Sequence, residues 1–183
     1  YAMTSFLTTG GIRGKKNGIG KFQPRSFNLG ISKKAFTLTK GFLNLKAGED
    51  IDLTFRLWEN NLETQLITKA FVYHKRRASL QQFFKQTFAF GTARPLLNKK
   101  YPKSAKITYW FPSFFVLFSL SSYIVTAFTR NVWGLFPLLM YLLVILVHST
   151  IVNKSLTVGL WTPCAVIVQF FAYGIGFLKS ILD

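Results

Sequence analysis

The sequence predicts an α/β segment, then an amphipathic helix at a membrane surface, then three transmembrane α-helices. Three observations carry this reading. Residues 1–106 hold 20 Lys and Arg against 5 Asp and Glu, a net of +15, whereas residues 107–183 hold 3 against 1. From Ile107 to Leu178, three runs without Lys, Arg, Asp or Glu follow one another, broken only by Arg130 and Lys154. Between residues 26 and 73, short alternating patterns interchange with a helical one. An apolar share of 50% excludes a disordered basic tail, and its uneven spread excludes a single soluble globular domain. The lone Cys164 excludes an internal disulfide framework and a multi-Cys metal site, and in its apolar run it reads as a small hydrophobe. The chain opens Tyr-Ala-Met with no signal-peptide pattern and is expected to be a fragment or processed piece.

Residues 10–26 hold five Gly and five Lys or Arg with no acid, which predicts a loop. Its spacing matches neither the phosphate-cradling P-loop nor the dinucleotide fingerprint. It suits an anionic substrate and a lipid headgroup surface equally well. Ser26 to Ser32 alternates short polar and apolar residues as a strand does, and Gly30 there permits close approach of a ligand or another backbone. Lys33-Lys34-Ala35-Phe36 opens a short helix or turn.

Five of the six acids, Glu49, Asp50, Asp52, Glu59 and Glu63, fall within 15 residues. After Ala47-Gly48, the series Ile51, Phe55, Trp58, Leu62 predicts a helix with one apolar stripe. Glu49 and Asp50 then occupy its first turn. Two readings stay open for them. One is capping and complementarity to the helix dipole. The other is a general base at the rim of a basic cleft. Leu66 to Tyr73 has strand character and delivers His74-Lys75-Arg76-Arg77 at its end. His74 fits a metal ligand, a phosphate contact or a solvated strand end. Lys75, Arg76 and Arg77 point to an anion, either a diphosphate or lipid headgroups.

Ser79-Leu80-Gln81-Gln82 is a capping box. It opens a helix with Leu80, Phe83, Phe84, Thr87, Phe88 and Gly91 on one face, flanked by Lys85 and Arg94. A Phe-faced, basic-edged helix ahead of membrane spans reads as interfacial, with an ordinary core helix as the alternative. Residues 95–106, with two Pro and four Lys, are expected to form a basic linker.

The charge-free runs 107–129, 131–153 and 155–178 hold 23, 23 and 24 residues. At about 1.5 Å per residue, each exceeds a hydrocarbon core of about 30 Å. Trp110, Trp133 and Trp161 fall in the opening third of each run, as an aromatic belt requires, and Pro112, Pro137 and Pro163 lie near the starts. The basic residues ahead of the first span favour a cytoplasmic N-terminal part. His148 and Gln169 are polar exceptions within the spans, expected to serve helix–helix packing.

The words Pro24-Arg25-Ser26-Phe27-Asn28-Leu29-Gly30-Ile31-Ser32, Gly48-Glu49-Asp50-Ile51-Asp52-Leu53 and Val72-Tyr73-His74-Lys75-Arg76-Arg77 occur in this order. With the Phe-rich helix carrying Gly91-Thr92-Ala93-Arg94-Pro95 and the trailing spans, they resemble the C-terminal half of a bacterial membrane-anchored family 2 glycosyltransferase. The resemblance covers nearly all of residues 1–178. It implies a GT-A fold, a mixed α/β sheet whose nucleotide-binding first half lies upstream of this sequence. On that reading residues 1–78 are the C-terminal part of the catalytic domain, 79–106 the interfacial helix and linker, and 107–183 the membrane region.

The resemblance implies inverting transfer of a hexose from a nucleotide-sugar to an acceptor hydroxyl, lipid-linked or on a cell-envelope glycan. It places the enzyme in the bacterial inner membrane with its catalytic part cytoplasmic. It implies a divalent metal, Mg2+ or Mn2+, held mainly by an Asp-x-Asp in the upstream half, with His74 near the metal–diphosphate. It makes Asp50 the base and Glu49 its positioner or the acceptor's. Arg76 and Arg77 would meet the phosphates or the lipid surface, and Asn28 and Gly30 would line the acceptor pocket. Processive members carry Gln-x-x-Arg-Trp on the interfacial helix. Here Gln86 is followed at those positions by Ala89 and Phe90, which favours one sugar per encounter. The 183 residues alone are expected to show no turnover. The rival expectations are a membrane-tethered nucleic-acid-binding module, motivated by the +15, and a non-enzymatic membrane scaffold. The first leaves the clustered acids and the spans unexplained, so no nucleic acid is expected as partner. The second would be supported by paired charges inside the bilayer, and the runs contain none.

Overall fold

The computed structural model describes residues 1–9, 19–20, 22–45, 47–75 and 78–183. Of these, 67% are helical. In chain order the elements are β1 (Ile19–Gly20), α1 (Lys33–Leu38), α2 (Glu49–Glu59), β2 (Thr64–Gln65), α3 (Leu80–Lys100), α4 (Phe111–Thr129), α5 (Phe136–Asn153) and α6 (Leu156–Leu182).

The expected mixed sheet is not formed among the described residues. β1 and β2 pair antiparallel over two residues each, and nothing extends the ladder. Residues 26–32, expected as a strand, begin in a tight turn closed by Asn28 N donating to Arg25 O at 2.9 Å, and end at Ser32, the N-cap of α1. Residues 66–73 break at a turn in which Ala70 N donates to Ile67 O at 3.0 Å. Phe71, Val72 and Tyr73 are exposed, so no second layer covers them. Alternation marks a segment that can form a strand, but a strand needs a partner to satisfy its backbone groups.

The helices follow the sequence more closely. Ser32 and Ser79 cap α1 and α3, each accepting a backbone N–H three residues on at 3.2 Å. α2 enters through Gly48 at φ 81°, a left-handed turn that glycine alone adopts without cost. It is buried on more than one side: Leu53 and Leu57 share one face, and Phe55 on the opposite one meets Leu97 and Tyr101 from the far end of α3. α3 runs six residues into the expected linker, through Pro95 to Lys100. The linker is therefore shorter, and Pro95 leaves the Gly91 carbonyl without its helical donor.

α4, α5 and α6, with their leading turns, give three helices long and apolar enough to cross a membrane: Ile107–Thr129, Val132–Asn153 and Leu156–Leu182. Pro112 and Pro137 stand in first turns, whereas Pro163 lies inside α6. α6 is the central element, contacting α3, α4 and α5. Its approach to α3 and α4 is set by glycine. A Cβ on Gly91 would run into the Tyr173 carbonyl, one on Gly176 would sit 2.5 Å from Phe88 O, and one on Gly174 2.6 Å from Pro112 O. Small residues that let backbones touch are how helices associate where burial from water supplies no force.

Residues 1–9 enter this helical group. Ala2 is buried against Phe115, Ile145, Val166 and Phe170. Tyr141 Oη donates to Leu7 O at 2.8 Å, Gln169 Nε2 donates to Thr9 Oγ1, and Tyr1 Oη bonds His148 Nδ1. His148 and Gln169 thus hold the N-terminal segment rather than a neighbouring helix. Irregular backbone among apolar helices is tolerated where protein surrounds it, and the three side chains supply that surrounding.

Candidate functional site

The first turn of α2 opens onto a cavity of about 1390 Å³. Glu49, Asp50 and Ile51 form one wall, and Arg25, Ser26, Phe27, Val72 and His74 form the wall next to it. Across from them stands one face of α3, with Gln82, Lys85, Gln86 and Ala89 at helical spacing. The cavity then continues along the first third of α6, past Val158, Trp161, Thr162 and Ala165.

Asp50 both closes its helix start and lines the cavity. Its Oδ1 accepts the Ile51 backbone N–H at 2.9 Å, satisfying one of the orphan donors of the helix start. The same carboxylate is half-buried on the cavity wall. Glu49 is half-buried beside it, and neither acid makes an ion pair among the described residues. His74 lies flat on Phe27, with ring centroids 4.1 Å apart and planes 8° from parallel, which fixes the imidazole plane at the cavity edge.

Three expected site residues therefore come together: Glu49, Asp50 and His74. Asn28 and Gly30 do not line the cavity. The Asn28 Nδ2 donates to Ala70 O at 3.3 Å, joining two loops, and a Cβ on Gly30 would meet nothing within 4 Å, so no close approach occurs there. Lys75 is exposed and off the cavity, and Arg76 and Arg77 lie outside the described residues, as do most of residues 10–26. Among the described residues no three His, Cys, Asp or Glu side chains come close enough to hold a metal.

Asp52, two residues beyond Asp50, does something different. Its side chain is fully buried and accepts Lys100 Nζ at 2.6 Å, Tyr101 Oη at 2.8 Å and Arg56 Nε at 2.8 Å. Arg56 also donates to the carbonyls of Thr39 and Gly41. Burial alone pushes the Asp52 carboxyl up, but the bonds from Lys100, Tyr101 and Arg56 and the Arg56 charge outweigh it and hold it below the usual carboxylate range. The bond to Asp52 raises Lys100 above the usual ammonium range despite burial. Asp52 thereby ties α2 to the end of α3, the helix that also supplies the opposite cavity wall. The cluster GEDIDL announced the acids, but the division of labour within it needed Lys100 and Tyr101, about fifty residues away in sequence. The sequence marked Lys85 as a basic flank of the Phe-faced helix and Arg25 as part of the first motif, and the fold brings both to the cavity wall.

Comparison of the chain with protein-family models, with curated proteins and with solved structures gives no match. The resemblance therefore rests on the ordered motifs alone.

Proposed function

We propose that the chain is the acceptor-side half of a membrane-bound inverting glycosyltransferase, moving a sugar from a nucleotide-sugar to an acceptor hydroxyl at the membrane. The observation that carries this reading is that Glu49, Asp50 and His74, named by the motifs, line one cavity whose far wall is an apolar helix of membrane-spanning length. In the reaction, the Asp50 carboxylate takes the proton of the acceptor hydroxyl. The freed oxygen attacks the anomeric carbon opposite the leaving group, and the bond to the nucleoside diphosphate breaks with its electron pair on the diphosphate oxygen. Arg25 and Lys85 offset the negative charge gathered in the cavity. Glu49 holds the acceptor beside Asp50.

The position of the Gln-x-x-Arg-Trp motif supports transfer of one sugar per encounter. Gln86, Ala89 and Phe90 all line the cavity, so the residues standing where Arg and Trp would be are a methyl group and a plain ring. The test joins the chain to a nucleotide-binding half, embeds it in membranes and supplies a panel of labelled nucleotide-sugars. One donor should give a lipid-extractable product extended by a single sugar. Absence of transfer from every donor, together with tight salt-sensitive binding of DNA or RNA, would favour a tethered nucleic-acid module instead.

A further inference from the structure

Away from the cavity, α1 and the loop after it leave Phe36, Leu38, Phe42, Leu43 and Leu45 exposed. Phe36 and Phe42 share one knob. Lys40 at φ 59° and Gly41 at φ 61° turn the chain back on itself, and a Cβ on Gly41 would run into the Phe36 ring. That ring meets Phe42 edge-on, with centroids 6.2 Å apart. Around the knob stand Lys33, Lys34 and Lys40, all exposed and without an ion pair among the described residues. No acid occurs between residues 26 and 48. An exposed apolar cluster rimmed by polar groups marks an interaction surface, and here the rim carries one sign of charge.

The place where this segment is held points to what covers it. Arg56 donates to the carbonyls of Thr39 and Gly41, which lashes the turn to α2. Asp52 accepts Arg56 on one oxygen and Lys100 and Tyr101 on the other. Tyr101 closes α3, and the first helix of membrane-spanning length begins at Ile107. Those six steps of chain reach at most about 20 Å. They include Lys103 and Lys106, both exposed, and no acid. The turn is thus one guanidinium and one carboxylate away from a basic approach to a span. Half-exposed apolar groups set among amines suit a bilayer interface, where the rings enter the headgroup boundary and the amines meet anionic lipid.

We propose that the segment from Lys33 to Leu45 docks on an anionic bilayer surface, its apolar side chains in the headgroup–acyl boundary and Lys33, Lys34 and Lys40 on lipid phosphates. The surface is independent of the sugar-transfer reading. It bears on the same helix, since Asp50 and Arg56 both stand on α2, and docking holds the start of α2 near the bilayer.

The test uses the full chain with Cys164→Ser in nanodiscs, with Leu38→Cys carrying a polarity-sensitive fluorophore. Discs of phosphatidylcholine alone are compared with discs of equal parts phosphatidylcholine and phosphatidylglycerol, with and without lipid spin-labelled at the top of the acyl chain. In the anionic discs the emission should shift to the blue, the labelled lipid should quench it and aqueous acrylamide should not. The same fluorophore on Glu59→Cys, at the other end of α2, should be quenched by acrylamide and not by lipid. Lys33→Gln, Lys34→Gln and Lys40→Gln together should lower the docked-to-undocked ratio by about five-fold per lysine at low salt, as the attraction of an amine to an anionic surface implies. High salt should shrink that difference. Leu43→Asp should weaken lipid quenching in both kinds of disc. A Leu38 probe open to acrylamide in anionic discs overturns the proposal. So does a probe shielded from acrylamide yet untouched by labelled lipid, as a second copy or another protein domain would leave it. Equal lipid quenching at Glu59, or indifference to the lysine and Leu43 substitutions, overturns it as well.

Discussion

Asp50 and Asp52 sit two residues apart, and their surroundings give them opposite tasks. Asp50 faces the cavity and Asp52 is enclosed by Arg56, Lys100 and Tyr101. Removing the Asp52 charge leaves Arg56 largely buried and Lys100, whose side chain is half exposed, without their shared acceptor. Asp52→Asn should therefore lower stability by about 1–3 kcal/mol, the scale of lost hydrogen bonds to a charged group with one partner screened by solvent, measured as thermal unfolding in detergent. The sign of the pH effect follows from the direction of the shift. The folded carboxyl titrates below its unfolded value of about 3.9, so its contribution is complete above that pH and disappears as pH falls through the folded value. Lys100 behaves conversely: its contribution is complete below its unfolded value of about 10.4 and fades as pH rises past the folded one. The wild-type melting temperature should therefore drop steeply below about pH 4, while Asp52→Asn, already without the carboxylate, should be much flatter there. Equal slopes would remove Asp52 from the role of tie.

At the scale of elements, α3 joins the two halves of the chain: its far end is held by Asp52 and its middle is pressed on α6 at Gly91 and Gly176. Gly91→Val should push Tyr173 away and destabilise by about 1–3 kcal/mol, as overpacking does. A cysteine pair placed across the α3–α6 contact should lose its cross-linking in this variant. Unchanged cross-linking would mean that the glycine contact does not set the approach. The capped starts of α1 and α3 were readable because Ser32, and Ser79 with Gln82, act within three residues of themselves. The strands at 26–32 and 66–73 were misread because alternation records which faces a segment offers, not whether a partner lies alongside. The glycine contacts were half-visible: Gly91 stood on the Phe stripe, but nothing local named Tyr173 as its neighbour.

At the scale of the whole molecule, the three spans were legible because charge-free length is a property of the chain in one dimension. Their outcome is a helical group that should resist alkaline carbonate and be released only by detergent. Release by carbonate would contradict membrane insertion. The seating of residues 1–9 among these helices was not legible, since Tyr1, Leu7 and Thr9 meet partners more than 130 residues away. The cavity is a property of this scale too, because its walls come from α2, α3, α6, residues 1–4 and two further loops. Sequence motifs identified Glu49, Asp50 and His74 in it. Folding added Arg25, Lys85 and the α6 wall, and moved Asn28 and Gly30 out.

The proposed sugar transfer depends on Asp50 acting on an acceptor in that cavity. The most direct measurement compares sugar transfer by membranes carrying wild-type chain and Asp50→Asn, each joined to the same nucleotide-binding half. Loss of the base should lower the transfer rate by about 10²–10⁴-fold while donor binding and thermal stability stay near wild type. Transfer by Asp50→Asn at the wild-type rate would show that the carboxylate at the start of α2 only caps its helix.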